Sequence, residues 1–269
     1  MTGFIKSIKS DIQEIIDSKS ILRSLIARNL YGRYKNSILG FAWNFVSPLI
    51  FMLMYYIVFS EIRTGAGAGI ENKWVFISTA IFLFSFLTHC ITGGTTVFIS
   101  NSAMIKKMYF PREILILANS ISSMIVCVIG YAIVLIALII TGCPINWVSI
   151  LFLPIILLLA LIFGIGCLFL LSSITVYVRD IQYALGTTGI MFFVLTPMRY
   201  MASEATGIVS VLIWYNPLTY YVEVAHEILY FGLMPDISYL LICVLLSIVS
   251  LSLGYYVFRK LRHGFVKRL

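Results

Sequence analysis

ILILANSISSMIVCVIGYAIVLIALIIT, residues 114–141, is a run of 28 residues without a single Asp, Glu, Lys or Arg. A helix needs roughly 20 apolar residues to cross the hydrocarbon core of a bilayer, so this run is long enough to cross as one helix. The whole chain has the same character: 61% of its 269 residues are hydrophobic and 11% are charged. Soluble domains carry about 25% charged residues. The composition therefore predicts an integral membrane protein and excludes a soluble enzyme, a disordered protein and a fibrous protein.

Six uncharged runs are candidates for transmembrane helices, five of ample length and one that is short. A seventh run, Ala205–Val222, is also uncharged, but it contains Asn216–Pro217. Proline lacks the backbone N–H and restricts the residue before it, so this pair breaks a helix. We predict an all-α fold with spans at Ser37–Phe59, Trp74–Ser100, Ile114–Thr141, Val148–Val178, Ile181–Met198 and Ile237–Phe258.

The basic residues choose between six and seven spans. With six spans, 16 of the 19 Lys and Arg residues lie on one side and three lie on the other. This asymmetry predicts that both termini are cytoplasmic, whereas a seventh span would put the basic tail, residues 259–269, outside. We therefore predict an outer re-entrant helical hairpin over about residues 199–235, with its turn at Asn216–Pro217. Non-helical backbone at that depth survives only beside protein or a water-filled cavity, which favours a transport pathway.

The N-terminal region, residues 1–36, has apolar residues at helical spacing with charged residues between them. This pattern predicts one or two amphipathic helices on the cytoplasmic membrane surface. A cytosolic helix packed on another protein is the alternative. The predicted organisation is thus a cytoplasmic interfacial region (1–36), a six-span domain (37–258) and a basic cytoplasmic tail (259–269).

The spans contain no ionisable group of the kind that drives transport. An ion-coupled transporter normally needs a carboxylate near the midplane, and the six runs have none. The chain also lacks P-loop, HExxH and GxSxG motifs, and its three His and five Cys residues are scattered singly. We expect no catalytic residue, no metal site and no cofactor in this chain. The remaining possibilities are a passive conduit and a conduit through which a partner protein drives transport.

The loop between spans two and three combines basic and aromatic residues. Aromatic side chains and Arg are common anchors of protein interfaces, so this loop is a candidate for contact with a partner protein. A basic loop that binds lipid headgroups is the alternative. The candidate residues are Ile105, Lys106, Lys107, Met108, Tyr109, Phe110, Pro111 and Arg112.

Aromatic residues gather at two further places, one face of span one and the outer region. Either group is a lipid-facing stripe or belt, or a surface that lines a path for sugars, whose apolar faces stack on flat rings. Arg199 either pairs with Glu204 or meets an anionic substrate. The candidates on span one are Phe41, Phe45, Met52, Tyr55 and Phe59, and those at the outer mouth are Arg199, Tyr200, Trp214, Tyr215, Asn216 and Pro217.

Taken together, these residues resemble the type-2 ABC exporter permeases that move lipid-linked polysaccharides, such as O-antigen, capsule and teichoic acid exporters. The resemblance covers roughly residues 20–235 and rests on three places in the family's order and spacing. These are Leu25–Gly40 with Trp43 and Pro48, then Ile105–Leu115, and then Val178–Asp180 followed by Thr196–Pro197 and Asn216–Leu218.

The resemblance implies a permease subunit, not an enzyme, that forms a homodimer with two copies of a separate ABC ATPase, which holds the ATP and Mg²⁺. Residues 105–112 would be the coupling helix that docks on that ATPase. A conduit between the protomers would be lined largely by spans one and five, which adds Phe192 and Phe193 as candidates. The expected activity is export of lipid-linked, O-antigen-like polysaccharide across the inner membrane, without nucleic acid. Arg199 and His226 depart from the family pattern and leave the glycan open.

Two other functions fit the same sequence. One is a type-2 ABC exporter of a small amphipathic drug or lipid on the same fold. The other is a membrane glycosyl- or acyltransferase, for which the outer Glu204, Glu223 and Glu227 would have to supply the catalytic group.

Overall fold

The computed structural model describes residues 11, 13–32, 40–61, 70, 72–140 and 145–269, and of residues 51, 52, 55, 56, 58–61 and 266 the backbone alone. Within these ranges the chain is helical and has no strand, which confirms the predicted all-α class. The helices are α1 (Lys19–Gly32), α2 (Trp43–Glu61), α3 (Lys73–Ile91), α4 (Val97–Ser100), α5 (Ser102–Lys107), α6 (Glu113–Ile140), α7 (Trp147–Ile150), α8 (Leu153–Tyr177), α9 (Asp180–Leu195), α10 (Gly207–Tyr215), α11 (Pro217–Leu229), α12 (Ile237–Leu261) and α13 (Phe265–Arg268).

Four helical stretches in the described part of the chain are long and apolar enough to cross a membrane: Lys73–Lys107, Glu113–Ile140, Trp147–Tyr177 and Ile237–Gly264. They correspond to predicted spans two, three, four and six. Predicted spans one and five correspond to α2, with 19 residues, and to the shorter apolar α9, with 16. The start of span one at residues 37–39, and residues 1–10, 12 and 33–36 of the predicted interfacial region, lie outside the described residues.

Helix α3 is the centre of the bundle. Fourteen of its 19 side chains are buried, as in a helix that is apolar on every side and lies in the interior of a bundle. Helices α2, α6, α8 and α11 pack around it. The Tyr131 hydroxyl of α6 donates a hydrogen bond to the Thr79 carbonyl of α3, with an O···O distance of 2.7 Å. The core of the protomer is therefore built outward from α3.

Helices α8 and α12 pack against each other at very close range. A Cβ on Gly166 would lie 2.3 Å from the backbone of Ser250, and a Cβ on Gly254 would lie 2.1 Å from the Gly166 carbonyl oxygen. Ser247 and Ser250 of α12 also donate hydrogen bonds, of 2.8 and 3.0 Å, to the carbonyls of Leu159 and Phe163 in α8. Small residues and hydroxyl bonds of this kind hold helices together in lipid, where apolar burial does not.

The chain breaks between α10 and α11 at Asn216. Its side-chain oxygen accepts a 3.0 Å hydrogen bond from the Leu218 N–H, and Pro217 begins the next helix without needing a backbone donor. The helix thus breaks at the Asn–Pro pair, where the sequence predicts a break. Asp236 caps α12 in the same way through the Ser238 N–H, at 2.8 Å.

The two ends of the bundle differ in charge. Helices α1, α5 and α13 carry Lys or Arg side chains at one end, which we call the basic end. Arg28 of α1 bonds to Asn101, the residue before α5. Arg112, just before α6, contacts Arg262 and Phe265 of the C-terminal segment, residues 262–269. The α10–α11 pair contacts the other end of the bundle, where α3 begins.

A bulky residue at the α8–α12 contact tests this packing. Gly166→Val would force its side chain into the backbone of α12, and we expect a loss of about 1–3 kcal/mol in unfolding free energy, typical of an overpacked core. The measurement is thermal unfolding of the purified protein in detergent.

Gly186→Ala is the matched control, because nothing lies within 4 Å of the Cβ position at this helical glycine. This substitution should leave the midpoint temperature of thermal unfolding unchanged or raise it slightly. A Gly166→Val protein as stable as the wild type would show that α8 and α12 are not in this close contact.

Candidate functional site

Residues 105–112, which form the end of α5 and the loop before α6, present an exposed surface at the basic end, and we call this segment the exposed loop. Lys106, Lys107 and Met108 are exposed, and Tyr109 is 98% exposed. The two residues that flank this surface, Ile105 and Phe110, are buried in the core. Pro111 and Arg112 are half-buried. The loop is therefore anchored at both sides, and its four middle residues face outward.

Arg112 fastens the loop to the C-terminal segment. Its Nη1 donates a hydrogen bond to the backbone carbonyl of Arg262, and its guanidinium lies 5.7 Å from the ring centre of Phe265. Burial of the Arg112 guanidinium lowers its pKa, and the charge of Glu113 next to it opposes that shift. Phe265 is itself fully buried against Phe98, with ring centres 4.8 Å apart.

Four residues, which we call the Arg262 clasp, join three parts of the chain at this point. Arg262 Nη1 lies 2.9 Å from Glu113 Oε1 and 3.5 Å from Asp11 Oδ1. The Tyr255 hydroxyl donates to Asp11 Oδ2 at 2.7 Å. The Glu113 and Asp11 side chains are only 5% and 11% exposed, so their bonds to Arg262 are shielded from water. The clasp ties the N-terminal region and the start of α6 to the end of α12.

A cleft of about 470 Å³ lies beside the exposed loop. One wall is formed by the loop itself, from Ile105 to Glu113, and the other by Asp11, Glu14, Arg262 and His263. Acidic and basic side chains therefore face one another across a cleft at the basic end. Such a surface suits a charged, polar partner segment more than an apolar one.

The aromatic candidates for a conduit lie on α9 and on the approach to α2. Phe41 and Phe45 are half-buried, and their rings meet edge to face with centres 5.4 Å apart. Phe192 and Phe193 are also half-buried, and Phe193 packs against Phe84 of α3 at 5.8 Å. The side chains of the other three candidates, Met52, Tyr55 and Phe59, lie outside those that the structure describes. The lining role of all seven stays a prediction.

The candidates at the predicted outer mouth do not share one environment. Asn216 is buried, and its amide nitrogen donates to Thr196 Oγ1 at 2.8 Å. Pro217 is half-buried as the first residue of α11. The Trp214 ring stacks on Tyr239 with centres 5.6 Å apart, whereas Tyr215 is 83% exposed.

Arg199 and Tyr200 lie together just beyond the end of α9. The Arg199 guanidinium lies 5.7 Å from the ring centre of Phe193 and 5.9 Å from that of Tyr200. The Tyr200 hydroxyl donates to the Leu195 carbonyl at 3.0 Å and closes the end of α9. Burial raises the pKa of Tyr200, while the Arg199 charge opposes the shift. These contacts hold Arg199 against aromatic rings near α9.

Sequence reasoning missed how His226 joins α11 to α3. The ring is fully buried and stacks on Phe76, with centres 3.7 Å apart. Nε2 lies 3.0 Å from the Pro197 carbonyl, which only accepts, so Nε2 carries the proton. In the neutral ring, Nδ1 then accepts from the Thr79 hydroxyl at 2.9 Å. His226 therefore fastens the α10–α11 pair to the bundle. It is a single His outside any motif, so nothing in the sequence indicated its partners.

A pair of carboxylates lies near the same end. Glu223 Oε1 is buried, and no described residue makes a hydrogen bond to it. Burial raises the pKa of Glu223 to about 7; the Ala202 N–H opposes this shift and the nearby Glu227 adds to it. The Glu227 carboxylate accepts a 2.9 Å bond from the Asp236 N–H, which positions the chain before α12. In the described residues no group of three or more His, Cys, Asp or Glu side chains suits a metal ion.

A family model described as ABC-2 type transporter matches residues 21–230, more than three quarters of the chain. The chain belongs to the ABC-2 type transporter family. It is therefore the membrane subunit of a transporter and crosses the membrane more than once, and the prediction of a transport subunit rather than an enzyme is confirmed.

Curated relatives match the transporter along nearly its whole length. It is 26% identical over 244 residues to an O-antigen export system permease protein RfbA of Klebsiella pneumoniae, covering 90% of this chain and 92% of the relative. It is 24% identical over 260 residues to the protein of the same description from Myxococcus xanthus, covering 96% and 98%. The resemblance drawn from the sequence motifs is thus confirmed at the level of the family.

Removal of the Arg262 charge tests the clasp. Arg262→Gln leaves Glu113 and Asp11 without their cation. We expect the free energy of unfolding to fall by about 1.5–3 kcal/mol, which is the typical contribution of a hydrogen bond to a charged group. Thermal unfolding in detergent measures the loss.

Lys260→Gln serves as the control, since it removes the same charge from an exposed position two residues earlier. Equal stability of the two variants would contradict the assigned contacts of Arg262.

Proposed function

We propose that this transporter is the transmembrane subunit of an ATP-driven exporter of lipid-linked, O-antigen-like polysaccharide. It would move its substrate from the cytoplasmic to the outer side of the inner membrane. The observation that carries the proposal is the match to O-antigen export permeases over 90% or more of this chain and of the relatives. A match of that extent covers nearly the whole chain and does not depend on one shared motif.

The proposed topology has six spans, with both termini in the cytoplasm. Helices α2 and α9 add two crossings to the four long apolar stretches. The α10–α11 pair would be re-entrant from the outer side, and it is supported by polar partners for its broken backbone at Asn216. The basic end would face the cytoplasm, in accord with the positive-inside rule.

The proposed assembly is a homodimer with two copies of a separate ABC ATPase that binds ATP and Mg²⁺. Residues 105–112 would dock on the ATPase, because Lys106, Lys107, Met108 and Tyr109 face outward from an anchored loop. The conduit would form between protomers beside α2 and α9. In support, α9 buries none of its described residues within the protomer, and so its surface is available to a partner copy or to lipid.

Charge reversal tests the docking loop. In the triple variant Lys106→Glu, Lys107→Glu and Pro111→Ala, we expect the ATPase subunit to stop co-purifying while membrane insertion is unaffected. Tyr109→Ala alone should weaken the association about tenfold or more, since an exposed aromatic residue is a typical interface anchor. Affinity purification and quantification of the bound ATPase measure both effects.

Trp147→Ala is the control for loss of an exposed aromatic residue. Trp147 is 69% exposed but belongs to α7, which contacts α11 at the end of the bundle opposite the loop. If the ATPase still co-purifies normally with the triple variant and export is normal, the loop is not part of the ATPase interface.

Deletion of the gene tests the substrate. We expect loss of surface polysaccharide and accumulation of lipid-linked glycan inside the cell, both restored by the wild-type chain but not by the triple variant. Immunoblotting of surface glycan and extraction of lipid-linked intermediates measure these outcomes. Unchanged surface glycan together with increased sensitivity to an amphipathic compound would instead identify an exporter of small molecules.

A further inference from the structure

A cavity of about 610 Å³ opens at the basic end, between α1, the end of α3 and the first turns of α6. Its volume is that of a small-molecule binding site. The lining is dominated by amide, imidazole and hydroxyl side chains, in a chain that is otherwise mostly apolar. The polar residues that matter here are Arg28, Asn44, His89, Asn101, Asn119 and Ser123.

The charge of this cavity is positive. Arg28 of α1 is exposed, and its Nη2 donates a 2.6 Å hydrogen bond to Asn101 Oδ1, so the guanidinium is held beside the opening. Deeper inside, His89 Nε2 lies 3.2 Å from Asn119 Oδ1. None of the described residues that line the cavity is acidic. A cation with neighbouring amides and hydroxyls is suited to bind a phosphate group with hydroxyl groups attached to it.

The cavity extends along α6, one of the helices that are long and apolar enough to cross a membrane. Asn119 is six residues into α6, or about 9 Å along the helix, and Ser123 is about 15 Å along it. Polar side chains on membrane helices usually face a cavity or a ligand path, because hydrocarbon leaves them without partners. A ligand that reaches Asn119 and Ser123 would therefore lie beside an apolar helix, as an amphiphile does at a membrane interface.

A second, narrower cavity of about 140 Å³ continues from the first, and Asn44, His89 and Ser123 line both. Its remaining walls are mostly apolar and include Pro48, Phe82, Phe86 and Cys127. The joined cavities are thus wide and polar toward the basic end, and narrow and apolar farther along α3 and α6. An amphiphile has this shape, with a hydrated headgroup followed by a hydrocarbon chain.

We propose that the joined cavities bind a phosphorylated membrane lipid within each protomer. Its phosphate lies beside Arg28 and Asn101 with the headgroup hydroxyls toward the opening, the ester oxygens that join the phosphate to the hydrocarbon meet Asn119 and Ser123, and its first chain segments enter the groove beside Phe82 and Phe86. The lipid carrier of the exported glycan and an ordinary anionic phospholipid share this chemistry. The carrier alternative rests on the proposed function, whereas the site itself does not.

Photo-crosslinking in nanodiscs tests the site. The complex of permease and ATPase is reconstituted with phosphatidylglycerol that carries a diazirine in its acyl chain, and the labelled peptides are identified by mass spectrometry. We expect labels on α3 and α6 near Phe86 and Cys127. Arg28→Gln with Asn119→Leu should reduce this labelling about tenfold, as loss of charge-assisted bonds to phosphate predicts.

Two further variants separate binding from folding. Ser123→Leu fills the junction of the two cavities and should reduce labelling while Arg28 remains. Arg23→Gln removes a charge from an exposed position of the same helix that does not line the cavity, and labelling should stay at the wild-type level. Equal labelling of all variants would overturn the proposal.

Three probes then distinguish the headgroup and its source. A diazirine diacylglycerol, which lacks phosphate, should label weakly, and labelling equal to that of phosphatidylglycerol would refute a phosphate site. A diazirine polyprenyl phosphate that labels about tenfold more strongly would identify the carrier lipid, whereas equal or weaker labelling would identify a bulk phospholipid; both support the site. Normal surface glycan in the deletion strain would refute polysaccharide export without affecting the labelling result.

Discussion

Hydrocarbon offers no hydrogen-bond partner, so polar groups on the apolar helices of this protein have to be satisfied within the chain. Ser247 and Ser250 of α12 bond to carbonyls of α8, and the Tyr221 hydroxyl of α11 bonds to the Cys243 carbonyl of α12 at 3.0 Å. His226 satisfies both ring nitrogens between α11 and α3. These bonds, together with the close approach at Gly166, join helices whose apolar surfaces alone have little reason to leave lipid.

The same requirement determines how the ends of the bundle are built. At the basic end, the Arg262 clasp joins the N-terminal region, the start of α6 and the end of α12, while Arg112 holds the exposed loop to the C-terminal segment. A partner that moves the loop therefore has to move α6 and α12 or break these bonds. At the opposite end, Asn216 and His226 fix the α10–α11 pair to α3 and to the end of α9.

The proposed lipid site would add a ligand to this mechanical arrangement. Its walls come from α1, α2, α3 and α6. The Arg28–Asn101 bond lies directly before α5, whose end forms the first part of the exposed loop. A headgroup beside Arg28 would thus lie between α1 and the surface proposed for ATPase docking. Binding and docking then act on neighbouring parts of the same rigid end of the bundle.

Sequence alone determined the membrane class, the apolar helical runs, the helix break at Asn216–Pro217 and the loop near Tyr109. Each follows from local properties, namely composition, run length, proline geometry and residues adjacent in the chain. Only the tertiary structure decided that Arg262 pairs with Glu113, 149 residues away, and that His226 bonds to Thr79, 147 residues away. It also brought Arg28, His89 and Asn119 to one cavity. Such partners depend on which faces of distant helices meet, and helical periodicity specifies a face but not its neighbour.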